Sequence, residues 1–293
     1  MTPPPAPVDH VRSLEVSGAE GVPLAVKVRP APGRVPAVLV HGFGSSARGN
    51  WAATGWVRTL RRAGVPTVTV DLRGHGESGK PHEMDRYSIP ILVADLRRVL
   101  AALPSVLGPM PEVDLVGYSM GARLVAELVR ADRADRADRA DRADPAGSAR
   151  SAARTGRNEV PKLRRAVLGG YDGRPLFSWL QLPEFTAALA GRPGPAGSGR
   201  RIADIALADP ANDLVALSAL VYGLSTDPTS MPAGALTLPI LVVAGERDDI
   251  TDRALEWASG MPRGESLVVP GRDHITVLTA GLFRTATTEF LTR

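Results

Sequence analysis

Gly117-Tyr118-Ser119-Met120-Gly121 lies between an apolar run, Val113 to Val116, and an amphipathic stretch, Ala122 to Val129. The run reads as a buried strand and the stretch as a helix, so the pentapeptide reads as the tight turn that joins them. Glycines two residues to either side leave room for neighbouring backbone, and the serine between them takes a strained conformation that lifts its oxygen clear of the sheet. The turn also sets that oxygen at the start of a helix, where the N–H of Met120 and the helix dipole face a developing negative charge. Ser119 is therefore the candidate nucleophile, with Met120 as an oxyanion donor.

Outward from this turn, short β-rich runs alternate with helical patterns, the order expected of a parallel sheet wrapped by helices. Strands are expected over Ser13 to Val16, Pro23 to Val28, Ala37 to Val40, Thr67 to Asp71, Val113 to Val116, Arg165 to Leu168, Ile240 to Ala244 and Ser266 to Val269. The later runs are continuously apolar, as strands buried on both faces are, whereas the first two are mixed and suit an antiparallel edge. Helices are expected near Val57 to Ala63, Ser88 to Leu103, Ala122 to Ala143, Thr251 to Ala258 and Leu282 to Thr292. The fold class is α/β, with about eight mostly parallel strands and helices on both faces.

Two segments break the alternation. An Ala-Asp-Arg repeat from Ala131 to Ala143, with a Gly/Ser/Ala/Arg stretch after it, forms a low-complexity insertion over 131–157. Each aspartate finds an arginine four residues on, as Asp132 does Arg136 and Asp135 does Arg139, which favours helix. A period of three drifts around a helix and builds no apolar face, so the repeat is expected to run into solvent. The second break, 171–234, carries short helical patterns and a flexible Gly191 to Gly199; it reads as a small helical lid inserted in a core of 1–170 and 235–293.

The chain has 293 residues, of which 44% are apolar, enough for a full core. It has no cysteine, which excludes disulfides, thiolate metal sites and a cysteine nucleophile. A net charge of only +4, 4% aromatic residues and no basic block interleaved with aromatics argue against nucleic acid as a partner. Met1 to Pro7 lacks the pattern of a signal peptide, and no run approaches the ~18 apolar residues of a membrane span, so a cytoplasmic protein with no membrane partner is expected. No His/carboxylate cluster has the spacing of metal ligands, and no Gly-rich dinucleotide motif follows the first strand, so neither metal nor organic cofactor is expected.

A nucleophilic serine needs a base, and the base needs an orienting carboxylate. Of the five histidines, His274 follows the last expected strand, at the edge the serine turn reaches. His10 lies in the unpatterned tail, His41 and His75 in glycine-flanked loops, and His82 in a polar loop. Asp248 follows the strand Ile240 to Ala244 and is the leading acid, with Asp249 beside it and Asp172 after the preceding strand as alternatives. Asp252 is expected to cap or start the next helix. Asp273, beside the base, is expected either to raise its pKa or to pair with Arg272.

Taken together, His41-Gly42-Phe43-Gly44, Asp71-Leu72-Arg73-Gly74-His75-Gly76-Glu77-Ser78, Gly117 to Gly121, Gly245-Glu246-Arg247-Asp248 and Gly271-Arg272-Asp273-His274 resemble the α/β-hydrolase superfamily, in family order and over nearly the whole chain. The resemblance implies an α/β-hydrolase fold, a triad of Ser119, Asp248 and His274, and a second oxyanion donor at the N–H of Phe43. Family members of the dehalogenase and epoxide hydrolase types carry aspartate where Ser119 stands, which disfavours those activities. His75 is expected to be structural, and His41 and Tyr118, with Phe177 and Trp179 of the lid, are candidates to touch substrate. The leading expectation is a serine hydrolase for a small, mostly apolar carboxylic ester. The alternatives are the same triad acting on another bond (a carbon-carbon hydrolase, lactonase, amidase or perhydrolase) and a low-turnover binding protein of the same fold.

Overall fold

The computed structural model describes residues 11–141 and 160–293; His10 and the 142–157 part of the 131–157 insertion lie outside them. Eight strands form one sheet: β1 (Arg12–Ser17), β2 (Pro23–Arg29), β3 (Ala37–Val40), β4 (Thr67–Val70), β5 (Glu112–Tyr118), β6 (Lys162–Gly169), β7 (Ile240–Gly245) and β8 (Gly264–Val269). Their order across the sheet is β1-β2-β4-β3-β5-β6-β7-β8. β1 pairs antiparallel with β2, and β2 with β4. Every other neighbour is parallel.

Burial explains that division. β3, β4 and β7 are buried at every position, as strands covered on both faces must be. β1 and β2 alternate in exposure and form the edge expected of their mixed sequence. Helices α1 (Trp56–Arg62), α2 (Ile89–Ala102), α3 (Pro104–Leu107), α4 (Met120–Asp141), α5 (Leu182–Leu189), α6 (Ser198–Leu207), α7 (Leu214–Ser225), α8 (Ala254–Ser259) and α9 (Gly281–Thr292) complete the chain, with a π-helical turn over Ala47–Ala52. One core layer joins α1 and α9 to the sheet through Trp56, Leu60, Phe283 and Phe290. The other joins α2, α4 and α8 to the opposite face and continues into α5–α7.

Three expectations are corrected. The α8 helix begins at Ala254, not Thr251, because the N–H and hydroxyl of Thr251 both donate to Asp248 and hold a turn there. Asp252 does not cap that helix; its carboxylate pairs with Arg174 at 2.6 Å. The repeat does not simply run into solvent. Asp132 pairs with Arg136 at 2.7 Å as expected, but Asp135 pairs with Arg97 of α2 at 2.7 Å, and Arg133 donates to the carbonyl of Ala235 at 3.4 Å. No helix among the described residues is long and apolar enough to cross a membrane.

Candidate active site

The parallel order brings the carboxyl ends of β3, β5, β7 and β8 to one edge of the sheet, and the candidate residues follow those ends. β5 runs into α4 with no residue between them but Ser119, whose φ of 53° lies in the left-handed region. A non-glycine residue is rare there, so the conformation is imposed by its surroundings. The Ser119 N–H donates to the carbonyl of Gly169 at 2.8 Å, and its own carbonyl accepts from the N–H groups of Ala122 and Arg123 at 2.9 and 3.1 Å. Glycine is required on both sides. A Cβ on Gly117 would lie 2.6 Å from Ala122 Cα, and one on Gly121 would lie 2.5 Å from the His41 carbonyl.

His274 meets this serine. Its Nε2 lies 3.0 Å from Ser119 Oγ, and its Nδ1 lies 2.9 Å from Asp248 Oδ2. The Asp248 carboxylate accepts further bonds from the N–H groups of Ile250 and Thr251, both at 3.0 Å, and from the Thr251 hydroxyl at 2.6 Å. Burial pushes this carboxyl up, but the bond and charge of His274, with the bonds from Thr251, outweigh it and hold its pKa below the ordinary value. A carboxylate so held fixes the proton of His274 on Nδ1 and leaves Nε2 to accept from the serine.

The other acids lie elsewhere. Asp172 accepts from the N–H of Arg174 at 3.2 Å and from its Nε at 2.6 Å. Asp249 pairs with Arg201 of α6. Asp273 neither faces the base nor pairs with Arg272. Its Oδ1 accepts from the N–H groups of Ile275 and Thr276 at 3.0 and 2.8 Å and from the Thr276 hydroxyl at 2.8 Å, which ties off the turn after His274. These bonds hold its pKa down.

The loop after β3 lies across from the serine, with a Cβ on Gly42 reaching 3.2 Å from Ser119 Cβ. Two of its amides are held. Gly42 N–H donates to Asn50 Oδ1 at 2.9 Å, and Gly44 N–H to His75 Nε2 at 3.1 Å. Phe43 stands between them, its ring edge-on to Phe177 at 5.3 Å. Met120 opens α4, so its N–H belongs to the first turn, where no acceptor exists within the helix.

Two expected substrate contacts are corrected here. His41 is fully buried, and both its ring nitrogens are engaged: Nδ1 bonds the Gly42 carbonyl at 2.8 Å, and Nε2 accepts from the N–H of Leu72 at 3.0 Å. Tyr118 is buried too, and its hydroxyl donates to the backbone carbonyl of His274. Neither has a polar group to offer a ligand; His41 braces one loop and Tyr118 the other. Burial, then the nearby Asp248 and Asp273 carboxylates, pushes the Tyr118 phenol well above its ordinary pKa and keeps it a donor. Burial likewise lowers His41, against the Gly42 bond and the Asp71 charge. His75, structural as expected, is lowered to about 3 by burial, then by its nearness to His41, since a second proton on the pair would set two positive charges side by side. Both rings are neutral.

Of the aromatic side chains expected in the 171–234 segment, Phe177 is buried against Phe43, whereas Trp179 is 41% exposed and stands on the outer surface. Phe185, Leu180, Ile202 and Ala206 pack within the segment and on the core. The sequence alone did not single out Asn50, Thr251, Arg174 or Asn212, each of which holds a loop of this site. His82 lies apart, on Asp213 at 3.0 Å. Among the described residues no group of three His, Asp or Glu side chains is placed to hold a metal.

Comparison with known proteins agrees with this architecture. The model of the "Alpha/beta hydrolase family" matches residues 37–285. The chain is 33% identical over 95 residues to "Bifunctional epoxide hydrolase 2" of Sus scrofa, a match covering 32% of this chain and 16% of that protein. It is 30% identical over 112 residues to "Putative 2-succinyl-6-hydroxy-2,4-cyclohexadiene-1-carboxylate synthase" of Bacillus subtilis (strain 168), covering 38% of this chain and 37% of that protein. These matches therefore span well under two-thirds of either relative's length. Among solved structures, the enol-lactonase from Burkholderia xenovorans LB400 superposes with a TM-score of 0.67 at 19% identity, over 96% of this chain and 100% of that one. At that identity the likeness is one of fold.

Proposed function

Since the chain belongs to the alpha/beta hydrolase family, we propose that it is a serine hydrolase that cleaves a small, mostly apolar carboxylic ester through an acyl-enzyme. One observation carries this reading: the continuous chain from Ser119 Oγ to His274 Nε2 at 3.0 Å and from His274 Nδ1 to Asp248 Oδ2 at 2.9 Å, on a serine held at the head of a helix.

In the first half-reaction Ser119 Oγ passes its proton to His274 Nε2 and attacks the ester carbonyl carbon. The oxyanion is received by the N–H groups of Phe43 and Met120. His274 then gives the proton to the leaving alkoxide, the alcohol departs, and the acyl group stays on Ser119. In the second half His274 takes a proton from water, the hydroxide attacks the acyl carbon, and the proton returns to Ser119 as the acid leaves. Asp248 keeps the Nδ1 proton in place and stabilises the imidazolium formed twice in each cycle.

The oxyanion assignment has support in the loop after β3. His41 fixes the Gly42 carbonyl, and in a trans peptide the N–H of the next residue points the opposite way. The Phe43 N–H is thereby aimed away from His41. Support for Asp248 over Asp172 and Asp249 comes from the arginine partners of the latter two. Support for an apolar substrate comes from the buried edge-to-face pair of Phe43 and Phe177, which makes the loop carrying the proposed oxyanion donor apolar.

The test is hydrolysis of a short p-nitrophenyl ester. Ser119→Ala should lower kcat by at least about 1000-fold with the fold intact. A variant as active as the parent would make the assignment wrong. A panel of esters, lactones, amides and diketones then identifies the bond, with short apolar esters expected to be preferred.

A further inference from the structure

The loop that carries Phe43 is held from two sides, and only one of them belongs to the sheet. On the inner side His75 accepts the Gly44 N–H at 3.1 Å and Asn50 accepts the Gly42 N–H at 2.9 Å. On the outer side the contacts come from the α5–α7 insertion. Asn212, between α6 and α7, donates through Nδ2 to the Gly44 carbonyl at 2.8 Å and to the Ala206 carbonyl at 2.9 Å. Ile205 of α6 lies directly over Gly44, so that a Cβ there would fall 3.0 Å from its carbonyl oxygen and its Cγ2. Gly44 is held at a φ of 66°, a conformation that glycine alone adopts without strain.

Asn212 is itself fixed. Its N–H donates to the Asp209 carbonyl at 3.1 Å, and Asp209 Oδ1 accepts the N–H of Ala211 at 2.9 Å, closing a turn that aims the amide. One side-chain amide thus joins the end of α6 to the residue after the proposed oxyanion donor. We infer that Asn212 is a positioning residue for the oxyanion hole: through the Gly44 carbonyl it seats the Phe43 N–H toward Ser119, so that the α5–α7 insertion completes the hole as well as covering it. The inference rests on the serine hydrolase reading above.

A donor set in advance at the place where charge develops acts on the transition state and little on the bound substrate. Loosening it should therefore appear in kcat, not KM. With a p-nitrophenyl ester, Asn212→Ala is expected to lower kcat about 10-fold, below the ~100- to 1000-fold typical of deleting a donor outright, because the Phe43 N–H remains but is no longer held. Asn212→Asp, isosteric but facing two carbonyl oxygens with a carboxylate, is expected to lose more. KM should stay within about two-fold, and inhibition by a trifluoromethyl ketone, whose hemiketal needs the same hole, should weaken in proportion to kcat/KM. Arg200→Ala, in an exposed pair with Asp204 on the same insertion, should leave all three values unchanged.

Both Asn212 variants within two-fold of the parent in kcat, or a loss carried by KM with ketone inhibition unaltered, would overturn the inference. If Asn212→Ala does not fold, Asn212→Asp carries the test. Labelling of the parent by a fluorophosphonate separates the two levels: a labelled parent with indifferent Asn212 variants overturns this inference alone, whereas an unlabelled parent overturns the serine hydrolase reading and this one with it.

Discussion

Ser119, His274 and Asp248 are each held by more bonds than the proposed reaction calls for, and the surplus locates the residues that support the three. Tyr118 is the clearest. Its hydroxyl holds the His274 carbonyl, and its buried ring lies beside the imidazole at 5.8 Å. Tyr118→Phe keeps the ring and leaves a buried carbonyl without its donor, at a cost of about 1–3 kcal/mol. Thermal melts should show that loss, and kcat on a p-nitrophenyl ester should fall about 10-fold as the imidazole loses its register with Ser119. A Tyr118→Phe variant with parental kcat would place the tyrosine outside the site's support. Tyr118 also marks a limit of sequence reading. Its position beside the serine makes it a natural candidate to touch substrate, yet strand alternation turns its side chain down into the core, and the partner it finds is 156 residues away.

At the scale of elements, the acid loop after β7 is clamped by the segment after β6. Arg174 joins Asp172, the Ile250 carbonyl at 2.9 Å and Asp252 at 2.6 Å, and so spans the turn whose amides hold Asp248. The guanidinium is 41% exposed, so its ion pairs add little to global stability, and its effect should be local. Arg174→Ala is expected to shift Tm by no more than a few degrees while lowering kcat about five-fold; Arg174→Lys, with one compact charge for three acceptors, should recover only part. A large fall in Tm with unchanged kcat per folded molecule would contradict this. Strands and most helices were legible because each is written in contiguous periodicity, and β3 is found over the expected Ala37 to Val40. The serine turn was legible for the same reason, its glycines lying within two residues. Arg174 and Asn212 were not, since their partners lie up to 78 and 168 residues away, and nothing in the residues flanking either points to them. The same holds for the apolar aromatics after β6. Phe177 and Trp179 read alike in sequence, and only the packing turns one toward Phe43 and the other outward.

At the scale of the whole molecule, two buried neutral histidines, His41 and His75, make stability depend on pH. Their ring centroids are 5.0 Å apart, and the charge of Asp71 opposes the lowering of His41 while that of Lys80 adds to the lowering of His75. In the unfolded chain each binds a proton below about pH 6.5. Folded, His75 does so only near 3, and His41 below its ordinary value. Between those limits the unfolded state holds more protons, so stability is fully present above pH 6.5 and is lost as pH falls, by up to ~1.4 kcal/mol per pH unit for each ring. Asp248, also lowered, adds a further loss only below about pH 4. Urea unfolding at pH 7.0, 6.2 and 5.5 should therefore show a fall in stability across a window that lies above the ordinary carboxylate range. A flat profile over that window would mean that the two rings titrate normally.

The central claim is that Ser119 is the nucleophile and His274 its base. Tandem mass spectrometry after treatment with a fluorophosphonate tests it most directly. The claim predicts one adduct, located on Ser119, lost in Ser119→Ala and formed far more slowly in His274→Ala. A parent that takes up no label, or a Ser119→Ala protein that takes up as much as the parent, would contradict it.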